Sequence, residues 1–119
     1  MRRDDGLYLE DIVEAADAIA GFVTGIEEAA FVGSDLLRSA VLQKLTIIGE
    51  AASRVSEGLR ERHTDIPWSR IVAFRNIAVH AYFSVDWHVV WEAATQDAPQ
   101  LREFVADIID WEYPGTDRE

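Results

Sequence analysis

The chain predicts an all-α fold, an up-and-down bundle of four to five helices. Three observations carry that expectation. Apolar residues recur at three- and four-residue spacing through most of the sequence. Aspartate or serine stands just ahead of several of these stripes, where helix N-caps are preferred. No internal repeat or linker divides the 119 residues, so residues 1–119 are expected to form a single domain with one core.

Asp4 or Asp5 is placed to cap a first helix. Leu9, Ile12, Val13, Ala16, Ile19, Ala20, Val23 and Ile26 form its apolar face, and Gly21 and Gly25 weaken its end near Thr24–Glu27. Phe31-Val32-Gly33 reads as a connector whose aromatic ring plugs the end of the bundle. Ser34 is the expected cap of a long second helix, striped by Leu37, Val41, Leu45, Ile48, Ala52, Val55 and Leu59 and running to about Arg62. Inside it, Gly49 costs about 1 kcal/mol against alanine, and its small size suits a close helix approach. Glu50 reads as an exposed acid or as the partner of a nearby arginine.

His63-Thr64-Asp65-Ile66-Pro67 breaks the pattern. Thr64 or Asp65 is expected to cap a third helix, Trp68 to about Ala81, with Pro67 in its first turn. That helix is apolar on most sides and is expected at the centre, buried by the others or by a second subunit. Asp86 caps a fourth helix, and Asp97 is expected to cap a fresh one because Pro99 disrupts a helix interior. The last helix carries Leu101, Phe104, Val105, Ile108 and Ile109, with Trp111 and Tyr113 packing back on the bundle and residues 114–119 a frayed tail.

Composition narrows the function. With no cysteine, disulfides, thiolate metal sites and cysteine nucleophiles are excluded, which fits a reducing cytoplasm. No apolar run approaches the roughly 20 residues that span a bilayer, and the N-terminus does not read as a signal peptide. The formal charge is −11, of which −7 falls in residues 81–119 and −4 in residues 1–80. A protein that holds nucleic acid through long-range charge is basic, so contact with RNA here requires a local positive patch or a partner. Arg54, Arg60 and Arg62 read as a solvated helix face.

The unusual stretch is Phe74-Arg75-Asn76-Ile77-Ala78-Val79-His80-Ala81-Tyr82, where four polar side chains interrupt an apolar helix face. Buried without partners, such groups cost roughly 1–3 kcal/mol each. They therefore either satisfy one another or face a cleft. Asn76 and His80 are four apart and share a face. Arg75 and His80 are five apart, which is roughly 140° around a helix and about 7.5 Å along it. One helix does not easily aim both at one atom, whereas two copies related by a two-fold axis can. The expectation is a homodimer with a composite cleft at its interface.

The residue types suit phosphodiester cleavage without a metal or other cofactor. Histidine shuttles protons near neutral pH. Arginine offers a fixed fork of donors to a phosphate and to the charge of its pentacoordinate transition state. In RNA the 2′-OH is a built-in nucleophile. Asn76 is placed to orient His80 or bind a phosphate oxygen, and Tyr82 to line the substrate path. His80, Asp86 and His88 do not form a recognisable metal-ligand spacing, and His63 reads as an exposed loop residue. There is no nucleophile elbow and no phosphate-binding glycine loop.

Arg75-Asn76-Ile77-Ala78-Val79-His80-Ala81-Tyr82 resembles the R-x4-H-x-Y motif of the HepT-like (DUF86) branch of the HEPN superfamily. Ile47-Ile48-Gly49-Glu50-Ala51 resembles that family's second-helix segment, and Ile66-Pro67-Trp68-Ser69-Arg70-Ile71-Val72 its lead-in to the motif. Val85-Asp86 with Val90-Trp91-Glu92 resembles the family's segment C-terminal to the motif. The resemblance covers about residues 5–110. It implies a dimeric HEPN bundle acting as a metal-independent endoribonuclease, the toxin of a type VII toxin–antitoxin pair with RNA, including tRNA, as substrate. It implies Arg75 and His80 as the catalytic pair, with Asn76 beside the arginine. Its implied antitoxin is an MNT-type nucleotidyltransferase that adenylylates Tyr82. Many relatives carry glycine between the histidine and the tyrosine, where this chain has Ala81. The alternative reading is a non-catalytic HEPN module that binds nucleotide or partners a nucleotidyltransferase.

Overall fold

The computed structural model describes residues 4–77 and 86–113, and among them every regular element is helical. Helix α1 (Asp5–Val23) starts where Asp4 accepts a hydrogen bond from the Leu7 N–H at 3.0 Å. It stops at Thr24, and Gly25 takes the left-handed φ of 82° that turns the chain, a conformation glycine adopts without strain. The expected connector contains a short helix, α2 (Glu28–Val32). Its Phe31 is fully buried, with ring centroids 5.4 Å from Trp91 and 6.4 Å from Trp87. These rings close the gap between α2 and the later helices, as the plug reading expected.

Helix α3 (Asp35–Arg54) begins at Ser34, whose hydroxyl accepts from the Leu37 N–H at 3.1 Å. It does not run on to Arg62. Val55 is extended, and α4 (Glu57–Arg62) starts afresh at Ser56. The cause is a distant partner. The Ser56 N–H and hydroxyl both donate to the Asp5 carboxylate, at 2.8 and 2.5 Å. The same hydroxyl accepts from the Leu59 N–H at 3.3 Å, so one serine caps α4 and ties it to the start of α1. Arg60 folds back to donate to the Ala52 carbonyl at 2.7 Å, which binds one of α3's terminal carbonyls. Arg60 is thus half-buried structure, not solvated face.

Neither Thr64 nor Asp65 caps the next helix: Pro67 itself occupies the cap position of α5 (Trp68–Val72). The expected continuous helix to Ala81 is interrupted at Ala73, where ψ flattens to −12° and the Asn76 N–H donates to the Ala73 carbonyl at 2.9 Å. Helix resumes over residues 74–77, and residues 78–81 lie outside the described part. The helix expected at the centre is described only over residues 68–77. α1 packs on both α3 and the last helix, while α5 packs mainly on α3. Residues 68–77 bury Trp68, Ile71 and Phe74 but leave Val72, Ala73 and Ile77 only half-covered.

Asp86 caps α6 (Trp87–Glu92), accepting from the Val89 N–H at 3.3 Å. No fresh cap forms at Asp97. The chain stays helical through a π turn, Ala93–Asp97, into α7 (Ala98–Glu112). Proline lacks an N–H and its ring crowds the carbonyl four residues back; a wider turn ahead of Pro99 supplies that room. The Thr95 hydroxyl donates to the Trp91 carbonyl at 2.8 Å within that turn. Asp97 instead faces Arg70 at 3.3 Å. Tyr113 packs back against Gly6 as expected. Trp111 does not: it is 82% exposed, lying roughly 200° around the helix from the buried Ile109. The expected frayed tail, residues 114–119, lies outside the described residues.

Candidate active site

The candidate site begins with an absence of side chain. A β carbon added to Gly49 would lie 2.7 Å from the Arg75 backbone nitrogen and 3.0 Å from both Arg75 Cβ and the Val72 carbonyl oxygen. Real β carbons do not approach that closely. Glycine at 49 is therefore what lets residues 72–75 lie directly on α3, and it fixes where Arg75 leaves the backbone.

The next residue on α3 meets the arginine's head. Arg75 Nη1 donates to Glu50 Oε1 at 3.1 Å. Of the two readings of Glu50, the arginine partner is the one realised. One turn further along α3, Arg54 Nη2 stands 3.9 Å from Glu50 Oε2. One carboxylate thus lies between two guanidinium groups, and the cluster carries a local charge of +1 on a chain of −11. The Arg75 and Glu50 side chains are 40% and 45% exposed, so the pair is open to a ligand from solvent. Asn76 is exposed beside it. His80 and Tyr82 lie outside the described residues, so the structure brings together Arg75 and Glu50 and leaves the other half of the motif unplaced. On the neighbouring side of the same segment, Phe74 lines a cleft of about 290 Å³ with Arg70, Ile71, Asp97 and Leu101.

His63 and His88, with Arg62 and Arg38, have structural partners. His63 is not an ordinary exposed loop residue: its Nε2 pairs with Glu112, which also accepts from Arg62 at 2.7 Å. Arg62 first, and His63 second, hold the Glu112 carboxyl below its usual range. His88 contacts Glu28 at 3.0 Å and Glu92 at 3.5 Å, and these carboxylates, Glu28 foremost, raise its pKa. Arg38 lies over the Trp87 ring at 4.9 Å and donates to the Val32 carbonyl at 2.6 Å. Among the described residues no cluster of three or more His, Asp or Glu is placed to hold a metal ion. No helix among them is long and apolar enough to cross a membrane.

The Gly49–Glu50–Arg75 arrangement falls within residues 12–108, which match the family model described as "Ribonuclease HepT-like". The chain belongs to the HepT-like ribonuclease family. Among its HepT-like relatives, "Putative RNase MJ1380" of Methanocaldococcus jannaschii is 34% identical over 104 residues, covering 87% of this chain and 95% of the relative. "Probable ribonuclease HepT" of Thermococcus cleftensis is 36% identical over 102 residues, covering 86% and 93%. "Putative RNase TTE0752" of Caldanaerobacter subterraneus subsp. tengcongensis is 33% identical over 102 residues, covering 86% and 91%. No solved structure matches the chain. The all-α fold and the HepT-like resemblance of the sequence are thus both found. Glu50, which the sequence left as an exposed acid or an arginine partner, is the residue that meets Arg75. Its signal is the Gly49-Glu50 pair, a glycine and an acid together in the middle of an apolar helix face.

Proposed function

We propose that this HepT-like chain is a metal-independent endoribonuclease toxin that cleaves RNA by transesterification. Arg75 and His80 carry the reaction. The 2′-oxygen attacks the adjacent phosphorus and gives up its proton to an imidazole. The P–O5′ bond breaks, and the leaving oxygen takes a proton from an imidazolium. The products are a 2′,3′-cyclic phosphate and a 5′-hydroxyl, with no water consumed. Arg75 binds the phosphate and the charge that develops on it, and Asn76 positions His80 or a phosphate oxygen. Acid–base help of this kind contributes roughly 10²–10⁴-fold.

The observation that carries this reading is the Arg75 guanidinium, seated on the Gly49–Glu50 surface of α3 and open to solvent, in a chain of the HepT-like family. The helical spacing of Arg75 and His80 calls for a second copy to complete the cleft. Half-covered Ile77 and Val89, 39% exposed, leave apolar surface next to the motif for that copy. An MNT-type nucleotidyltransferase is the proposed antitoxin, attaching AMP to Tyr82. An anionic phosphodiester two residues from His80 would occupy the cleft and compete for Arg75.

The test uses purified protein with end-labelled tRNA in EDTA. Cleavage yielding cyclic-phosphate ends, and its loss in His80→Ala with the helical circular dichroism retained, is the expected result. Full cleavage by His80→Ala would refute the mechanism. Binding without cleavage by the wild type would favour a helical module that presents substrate to a nucleotidyltransferase.

A further inference from the structure

We propose that Glu50 is a positioning residue for the ribonuclease reaction, aiming the Arg75 guanidinium through their 3.1 Å hydrogen bond. This inference rests on the reading of Arg75 as the phosphate-binding catalytic group. Two contacts from adjacent residues of α3 locate one arginine. Gly49 sets its backbone, which a β carbon would push away from 2.7 Å. Glu50 then sets its head group at the far end of a long, flexible side chain. Each contact alone leaves the guanidinium loose; together they define both ends.

Fold maintenance does not explain the pair. Its members are 40% and 45% exposed, and ion pairs in such surroundings add little to stability. Nor does Glu50 neutralise the site. Its second carboxylate oxygen faces Arg54 at 3.9 Å, so two cations share one anion and attraction for a phosphate survives. Arg75 Nη1 is engaged by Glu50, and the guanidinium's remaining N–H donors are the ones a phosphate would use. A carboxylate holding one edge of an arginine while the other edge binds substrate is preorganisation, and misplacing a catalytic group by about 1 Å costs on the order of 100-fold in rate.

Steady-state cleavage of a labelled RNA by four proteins tests this: wild type, Arg75→Ala, Glu50→Ala and Glu50→Gln. Glu50→Ala is expected to lower kcat roughly 10- to 100-fold with KM changed less than about threefold. Glu50→Gln keeps an oxygen that accepts from Arg75, and is expected to recover most of the lost kcat. Melting temperatures of both Glu50 variants stay within about 2 °C of wild type. If Arg75→Ala is inactive but Glu50→Ala cleaves normally, changes KM alone, or cleaves faster, the positioning role is overturned and the catalytic reading of Arg75 stands. If Arg75→Ala cleaves normally, the catalytic reading fails and this inference fails with it.

Discussion

Gly49→Ala puts helix propensity and tertiary packing in opposition. Alanine in place of an interior glycine adds about 1 kcal/mol of helix propensity, so local reasoning expects a more stable protein. The structure expects the reverse. The new β carbon would stand 2.7 Å from the Arg75 nitrogen and 3.0 Å from the Val72 carbonyl oxygen, both backbone atoms that cannot rotate aside. Reaching ordinary contact near 3.4 Å moves the 72–75 segment away from α3 by about 0.7 Å. Overpacking of this kind costs about 1–3 kcal/mol, and contact with backbone on the far side puts it near the upper end. The net loss is then about 2 kcal/mol. For a domain of this size that is a fall of about 8 °C in Tm. The same shift carries the Arg75 side chain with it, so cleavage should drop by roughly 10-fold or more at a temperature where the fold is intact. Thermal melts by circular dichroism and a cleavage assay read the two effects separately. A Gly49→Ala protein that melts at or above wild type would show that the helix contact is not the constraint described.

Ser56→Ala removes the α4 side-chain cap and the hydroxyl's bond to Asp5 while keeping the backbone N–H bond, and should lower stability by about 1–2 kcal/mol, read as a Tm fall of about 4–8 °C. Retained Tm would mean that the α3–α4 break is set elsewhere. Glu112 has its pKa lowered by Arg62 and His63, so its contribution is full above the unfolded value of 4.5 and drains away as pH falls through the lower folded value. Glu112→Gln should therefore melt below wild type at pH 7, with the gap closing as pH drops below 4.5. His88 has the opposite sign: its pKa is raised from 6.5 by Glu28 and Glu92, so its stabilisation is present below that value and lost as pH rises through the folded one. His88→Ala should lower Tm at pH 5.5 and leave it unchanged at pH 9. Tyr82→Phe should keep its ribonuclease activity and escape inhibition by a nucleotidyltransferase with ATP; continued inhibition would place the modification elsewhere.

Much of this architecture was legible because it is local. Asp4, Ser34 and Asp86 each cap the next helix in the chain, since capping involves only a side chain and the three residues after it. The stripe of α1 maps onto its buried face through Leu9, Ile12, Ala16, Ile19 and Val23. The misses depend on residues far apart in the chain. The segment from Val55 to Arg62 continues the apolar period of α3, and only an aspartate 51 residues away reveals that Ser56 starts a new helix. Asp97 has the look of a cap, but its carboxylate faces Arg70 and the π turn makes a cap unnecessary. In the site, Arg75 is readable as a motif residue, whereas its partner Glu50 is 25 positions back on another helix. Periodicity says that Glu50 sits on α3; it does not say which arginine comes to meet it.

The site's rigidity is borrowed. The segment that carries Arg75 follows a break at Ala73, and its backbone lies directly on Gly49 of α3. Helix α3 is the opposite case: 20 residues long, held at its start by Ser34 and near its end by Arg60, and packed along α1. In the proposed role, binding phosphate, Arg75 needs its head group fixed to a fraction of an ångström. Backbone contact at Gly49 transfers α3's order to the Arg75 main chain, and the Glu50 carboxylate transfers it to the guanidinium. The two contacts differ in kind. Backbone against backbone has no rotatable part, so an error there displaces the Arg75 main chain and costs stability as well as rate. The ion pair is rotatable and half-exposed, so an error there misaims one side chain and costs rate alone. Separate effects on Tm and kcat at adjacent positions are therefore what this arrangement entails.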